Sequence, residues 1–181
     1  MSSTHSRIAV LIPFFVTLLC GCAAQQSLTL IGLAGQAAIK GAQYMVPSSS
    51  SNTVHFGAAI PPEVCIEFNP DTQVPDFIPA LQAELKERGV KSRVLDRGTV
   101  NNECKVWVRY LAVIAWGIPS TDDHYRPYLS NASLYMVEAN GRLMSASHFE
   151  IHWPIGLGQW ASTRKKLSPV VYSLLTGFKS S

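Results

Sequence analysis

The sequence predicts an α+β domain built on a mainly antiparallel sheet, in β-α-β-β-β-α order with helices on one face, and three observations carry that expectation. An alternating stretch at Glu63–Phe68 is followed by Phe77, Leu81 and Leu85, spaced four apart, and then by a second strand-like run at Val90–Leu95. A long alternating stretch spans Lys105–Trp116. Two more, Tyr128–Glu138 and Arg142–Trp153, flank Asn140-Gly141, the dipeptide best suited to a tight hairpin.

The chain begins with a different kind of pattern. Residues 1–7 are polar and carry Arg7, and Ile8–Leu19 is an apolar run of twelve residues. That run is short for a bilayer span but has the length of the apolar region of an export signal. It ends in Leu19-Cys20-Gly21-Cys22-Ala23-Ala24, with an aliphatic residue three before Cys22 and a small one directly before it. This stretch resembles the lipobox of bacterial lipoproteins. Cys20 fits the pattern less well, because Leu19 would then stand beside the cut. The resemblance implies cleavage before Cys22 and lipidation of its thiol, with each buried methylene anchoring by about 0.8 kcal/mol. The rival reading is cleavage after Ala24 and free secretion. Ala23 and Ala24 are not acidic, which by likeness to enterobacterial sorting favours an outer-membrane anchor facing the periplasm. The expected organisation is a signal peptide at 1–21, a lipidated N-terminal segment with linker at 22–52, and a periplasmic α+β domain at 53–181.

Within that segment, Ser27–Val46 is apolar and rich in small residues, and reads as a helix despite Gly32, Gly35 and Gly41. It could pack on its own domain, on the membrane or on a partner helix. Pro47 ends it, and Ser48–Asn52 reads as a serine-rich linker.

About 160 residues remain after the signal, enough for one self-sufficient core. The net charge of +3 falls to +2 without Arg7, and charged residues make up 15% of the chain. Lysine and arginine form only one run, Arg164-Lys165-Lys166. Neither a basic stripe nor a reading motif is present, so nucleic acid is not an expected partner. With Cys20 removed and Cys22 acylated, Cys65 and Cys104 remain as a pair in an oxidising compartment, and a disulfide is expected. It would close a loop of about 40 residues and contribute about 4 kcal/mol.

In the domain, Asp76 is placed to cap the first helix, Pro79 falls in its first turn, and Gly89 provides its left-handed stop. On the Lys105–Trp116 strand, Val106, Val108, Tyr110, Ala112 and Ile114 share one face. Leu111, Val113 and Ala115 make the far end of the other face apolar, which suggests that it is covered. Ser168-Pro169 reads as a cap and first helical residue, opening a short helix that runs to Gly177.

Two groups could carry chemistry. His148, Glu150 and His152 alternate along a strand, about 7 Å apart, and could offer zinc ligands. The plainer reading places Phe149, Ile151 and Trp153 in the core and leaves the polar three facing water. Asp122, Asp123 and His124 could form an acid–base cluster, but adjacent acids in a turn usually serve the turn itself. Hydrolase, zinc-protease, phosphate-loop and dinucleotide motifs are absent from the sequence. No cofactor is implied. The aromatic residues Trp107, Trp116, Trp153, Trp160, Tyr110, Tyr125, Tyr128 and Tyr135 serve a core and its rim, or a binding surface.

The expected function is therefore a non-enzymatic binding or assembly role, as an accessory of a cell-envelope transport, secretion or surface-protein system. In architecture alone, a small domain on a lipid-anchored tether resembles the auxiliary lipoproteins of envelope transport systems. The expected partners are the membrane, through Cys22, and other envelope proteins. An immunity or inhibitor lipoprotein is one alternative; a periplasmic hydrolase or metal-binding enzyme using the two groups above is another.

Overall fold

The computed structural model describes residues 49–72, 74–99, 103–119, 121–151 and 158–179. The export signal, Cys22, the helix expected at Ser27–Val46, and His152 with Trp153 lie outside the described residues. The elements are β1 (Ser51–His55), β2 (Glu63–Glu67), α1 (Phe77–Glu87), β3 (Lys91–Leu95), β4 (Val106–Gly117), β5 (Arg126–Glu138), β6 (Leu143–Glu150) and α2 (Thr163–Thr176). The class is α+β, with one six-stranded sheet in the order β1-β6-β5-β4-β2-β3.

The sheet is mixed, which corrects the expectation of a mainly antiparallel one. β4–β5, β5–β6 and β6–β1 are antiparallel, whereas β2 runs parallel to both β3 and β4. The reason lies in the connections. A helix between β2 and β3 carries the chain back to the starting edge, so the two strands must run the same way. The connection at 96–105 makes a second return, and β4 enters on the other side of β2, also parallel to it. The Cys65–Cys104 disulfide joins the middle of β2 to the residues just before β4, with the two Cα atoms 5.9 Å apart.

Local rules explain the ends of α1. Its cap residue is Asp76, although the side chain makes no capping hydrogen bond. Gly89, at φ +77°, allows the backbone to turn. Its N–H donates to the Lys86 carbonyl (3.0 Å), and the Val90 N–H donates to the Leu85 carbonyl (2.9 Å). Val90 and Leu85 are both buried, completing a Schellman stop with its apolar contact. The β5–β6 turn forms as expected, with Gly141 at φ +86° and the Arg142 N–H donating to Asn140 Oδ1 (2.8 Å).

Two element starts differ from expectation. β1 takes Ser51 and Asn52 from the stretch read as linker, and Ser50 before it is already buried. Serine is favoured there because the neighbours are small and hydroxylated: Ser50 Oγ lies 2.6 Å from Ser173 Oγ, and Thr53 Oγ1 3.2 Å from Ser147 Oγ. α2 starts at Thr163 rather than at Pro169. Ser162 caps it, its Oγ accepting from the Lys165 N–H (3.3 Å), and Pro169 lies inside the helix. The buried stripe of Lys166, Leu167, Val170, Val171, Leu174 and Leu175 outweighs the single backbone hydrogen bond that proline omits.

The core joins both helices to the sheet through Phe77, Leu81, Leu85, Val108, Leu134, Met136, Phe149, Leu167, Val170 and Leu174, with Phe77 stacked on Tyr110 at 4.7 Å. Leu111 and Val113 are each 55% exposed, so the expected cover over that end of β4 is not provided by the described residues. Their partners across the pair, Ser133 and Asn131, are small and polar.

An ionic clamp ties the helices together. Glu84 of α1 is buried and accepts from Arg88 Nη1 (2.6 Å) and from Arg164 Nε of α2 (2.8 Å), while Arg88 also donates to the Ser168 carbonyl. Burial alone would raise the Glu84 carboxyl, but hydrogen bonds from Arg164, Ser168 and Arg88 outweigh it and hold it below its ordinary value. A Glu84→Gln variant is expected to lose about 1–2 kcal/mol in urea denaturation at pH 7, a figure discounted because both arginines reach solvent. The contribution is present above the ordinary carboxylate range and disappears as pH falls through the lowered value, so the difference between the two proteins should shrink in acid.

Candidate functional site

On β6, the strand alternation works as read from the sequence. Phe149 and Ile151 are buried, and His148 and Glu150 share the other face. His148 Nδ1 lies 2.8 Å from Ser133 Oγ, its Nε2 lies 3.4 Å from Asn131 Nδ2, and Nε2 is 3.8 Å from Glu150 Oε2. Both ring nitrogens thus face neighbours on the sheet, and this pair alone offers too few ligands for a zinc centre. The third residue of the group, His152, lies outside the described residues.

In the β4–β5 loop, the ligand atoms of Asp122, Asp123 and His124 lie within 4.8 Å of one another. Asp122 Oδ1 accepts from the backbone N–H groups of Asp123 (2.9 Å) and His124 (3.3 Å), and Arg126 pairs with the same carboxylate. The hydrogen bond from His124, helped by these partners, holds the Asp122 carboxyl below its ordinary value. These contacts are those of a self-bonded turn, with Asp123 and His124 in solvent.

The residue that sequence reasoning missed is Lys166. Read as part of a basic run, it is in fact 1% exposed. Its Nζ donates to the Leu129 carbonyl (2.8 Å) and the Gln159 carbonyl (2.7 Å) and lies 5.4 Å from the centre of the Tyr128 ring. Among the described residues it makes no ion pair. Burial pulls its pKa down to about 8, with the charge of Asp76 acting weakly against that. The signal was present: counted from a cap at Ser162, Lys166 falls on the same stripe as Val170 and Leu174.

Lys166 helps to line a cavity of about 220 Å³ where β4 and β5 meet the start of α2. Trp160 and Tyr128, packed edge to face at 5.1 Å, form an aromatic wall, and Val74, Ile114 and Leu129 add apolar surface. Asp76 and Gln159 are polar members of the lining. Near the same end of the hairpin, Trp116, Ile118 and Tyr125 are exposed.

No protein-family model and no curated protein matches this chain. Among solved structures, the PelC dodecamer from Paraburkholderia phytofirmans is similar over 67% of this chain and 96% of the PelC chain. The identity is 12% and the TM-score 0.43. A single-site variant of the same PelC dodecamer matches at 12% identity and a TM-score of 0.42, over 67% of this chain and 95% of that one. Likeness at this level does not bear on function.

Proposed function

We propose that this protein is a non-enzymatic lipoprotein, anchored through Cys22 in the outer membrane and facing the periplasm. There it serves as a binding or assembly accessory of a cell-envelope transport, secretion or surface-protein system. The observation that carries the binding role is the exposed apolar face of β4, where Leu111 and Val113 stand in solvent on the longest strand pair of the sheet. Paired apolar side chains on an open sheet face favour a protein contact over solvent. The anchor is supported by the Leu19-to-Cys22 pattern, and an extracytoplasmic location also by the Cys65–Cys104 disulfide.

Two readouts test this. The native protein should carry an acylated amino-terminal cysteine by mass spectrometry, and a Cys22→Ser variant or globomycin treatment should block maturation. Photo-crosslinking in intact membranes from position 113 should capture a defined envelope protein. A Leu111→Lys, Val113→Lys double variant should lose that product while remaining anchored. An unmodified mature amino terminus overturns the anchor; absence of any crosslinked partner overturns the binding role.

A further inference from the structure

The β4–β5 hairpin runs on past the rest of the sheet. The β5–β6 register ends at Asn131 opposite Glu150, whereas β4 and β5 stay paired as far as Gly117 opposite Arg126. In that extension Trp116 stands opposite Pro127, and strand alternation puts Ile118 and Tyr125 on the next rung of the same side. The three large side chains are in solvent: Trp116 is 64% exposed, Ile118 51% and Tyr125 69%. The charges of the loop are matched locally, with Arg126 paired to Asp122 and His124 against Asp122 and Asp123. Tryptophan and tyrosine beside an aliphatic residue are the side chains that settle at the headgroup level of a bilayer, where one part of each ring is dry and another wet.

The point at which the chain enters the domain favours a membrane as the surface that meets this end. Ser51 pairs with His148, His148 with Ser133, and Ser133 with Leu111, so β1 begins at the end of the sheet toward which the hairpin projects. Gly117 lies six residues, or about 20 Å, beyond that row. Cys22 precedes β1 and is joined to Ser49 by the 26 residues 23–48. A tether of that length keeps the domain at high effective concentration beside the bilayer without fixing its orientation. A patch too small to bind from solution is then enough to orient it. We infer that the hairpin tip is a second membrane contact, with Trp116, Ile118 and Tyr125 entering the headgroup region of the leaflet that holds the Cys22 lipid. This contact presupposes the lipid anchor proposed above. It is apolar in character, and the acids Asp122 and Asp123 make zwitterionic headgroups better neighbours than anionic ones. The sheet then stands upright on the surface, and the Leu111 and Val113 face is turned sideways toward a neighbouring protein.

The test uses the mature, acylated protein in vesicles of phosphatidylethanolamine and phosphatidylcholine, part of the latter brominated near the headgroup end of its acyl chains. Bromine should quench the tryptophan fluorescence, and Trp116→Phe should remove the larger part of that quenching. Trp107→Phe should remove none, because Trp107 lies about 30 Å away at the other end of β4. Trp116 is exposed, so its replacement leaves the fold intact. Added phosphatidylglycerol should not raise the quenching. In intact cells, benzoylphenylalanine at position 125 should form a phospholipid adduct. At position 56, just past the far end of β1, it should form none. Three results would each overturn the contact while the acylated protein still floats with the vesicles and the anchor stands: quenching unchanged by Trp116→Phe, quenching that requires phosphatidylglycerol, or a protein adduct in place of the lipid one at position 125. An unacylated protein that does not float with vesicles overturns the anchor and the contact together.

Discussion

Replacing Cys65 and Cys104 together by alanine is expected to lower stability by about 4 kcal/mol, read as a shift of the urea midpoint at pH 7. The disulfide spans 39 residues, a loop that contains α1, β3 and the whole return to β4. Without it, the unfolded chain regains the freedom of that loop, and the start of β4 loses its covalent tie to its parallel neighbour β2. Cys65 and Cys104 are both buried, so the alanine variant also loses packed sulfur and the loss should not fall below the entropic figure. Dithiothreitol should reproduce most of the effect on the wild-type protein and have none on the variant. A loss below about 1 kcal/mol would mean that the cross-link does not constrain the unfolded chain as the loop-closure account requires.

The second large effect concerns Lys166 and runs against the usual direction for alkaline pH. Its pKa falls from an ordinary 10.5 to about 8 on folding, because burial strips water from the ammonium, with Asp76 opposing the shift. Between those values the unfolded chain holds a proton that the folded protein has released. Stability contributed by this group therefore rises with pH across that window, by up to about 3 kcal/mol. Below pH 8 the charged form is present in both states and the full penalty is felt. The measurement is the urea stability of wild type minus that of Lys166→Met at intervals from pH 7 to 10.5, a difference in which the titration of the tyrosines largely cancels. Tyr110 makes that subtraction necessary, since burial raises its pKa and works in the opposite sense at the alkaline end. A difference that stays flat across the window would show that Lys166 reaches solvent when charged.

Much of the scaffold was legible from local rules. The helix ending at Gly89, the hairpin at Asn140-Gly141, the long strand after Cys104 and the pairing of Cys65 with Cys104 each follow from residues a few positions apart or from a simple count of cysteines. The candidate sites were less legible. His148 and Glu150 were correctly placed on one face, but that His148 would sit against Ser133 and Asn131 depends on the β5–β6 register. Lys166 was hidden because a basic tripeptide ordinarily faces water, and its burial follows from a helix start that Pro169 disguised.

What the sequence determined by itself was the α+β class, the spacing of its helix and hairpin, the pair of cysteines available for a cross-link, and the expectation of export and acylation at Cys22. These rest on side-chain periodicity, turn chemistry and cysteine position, which act over short stretches of chain. Only the tertiary structure decided that β2 lies between two parallel neighbours, that a serine-rich stretch becomes the edge strand β1, and that Lys166 and Asp76 line one cavity. Each of these depends on which surfaces meet across many residues of separation. A serine or a lysine has no fixed place until the partner that satisfies its polar atoms has been brought to it.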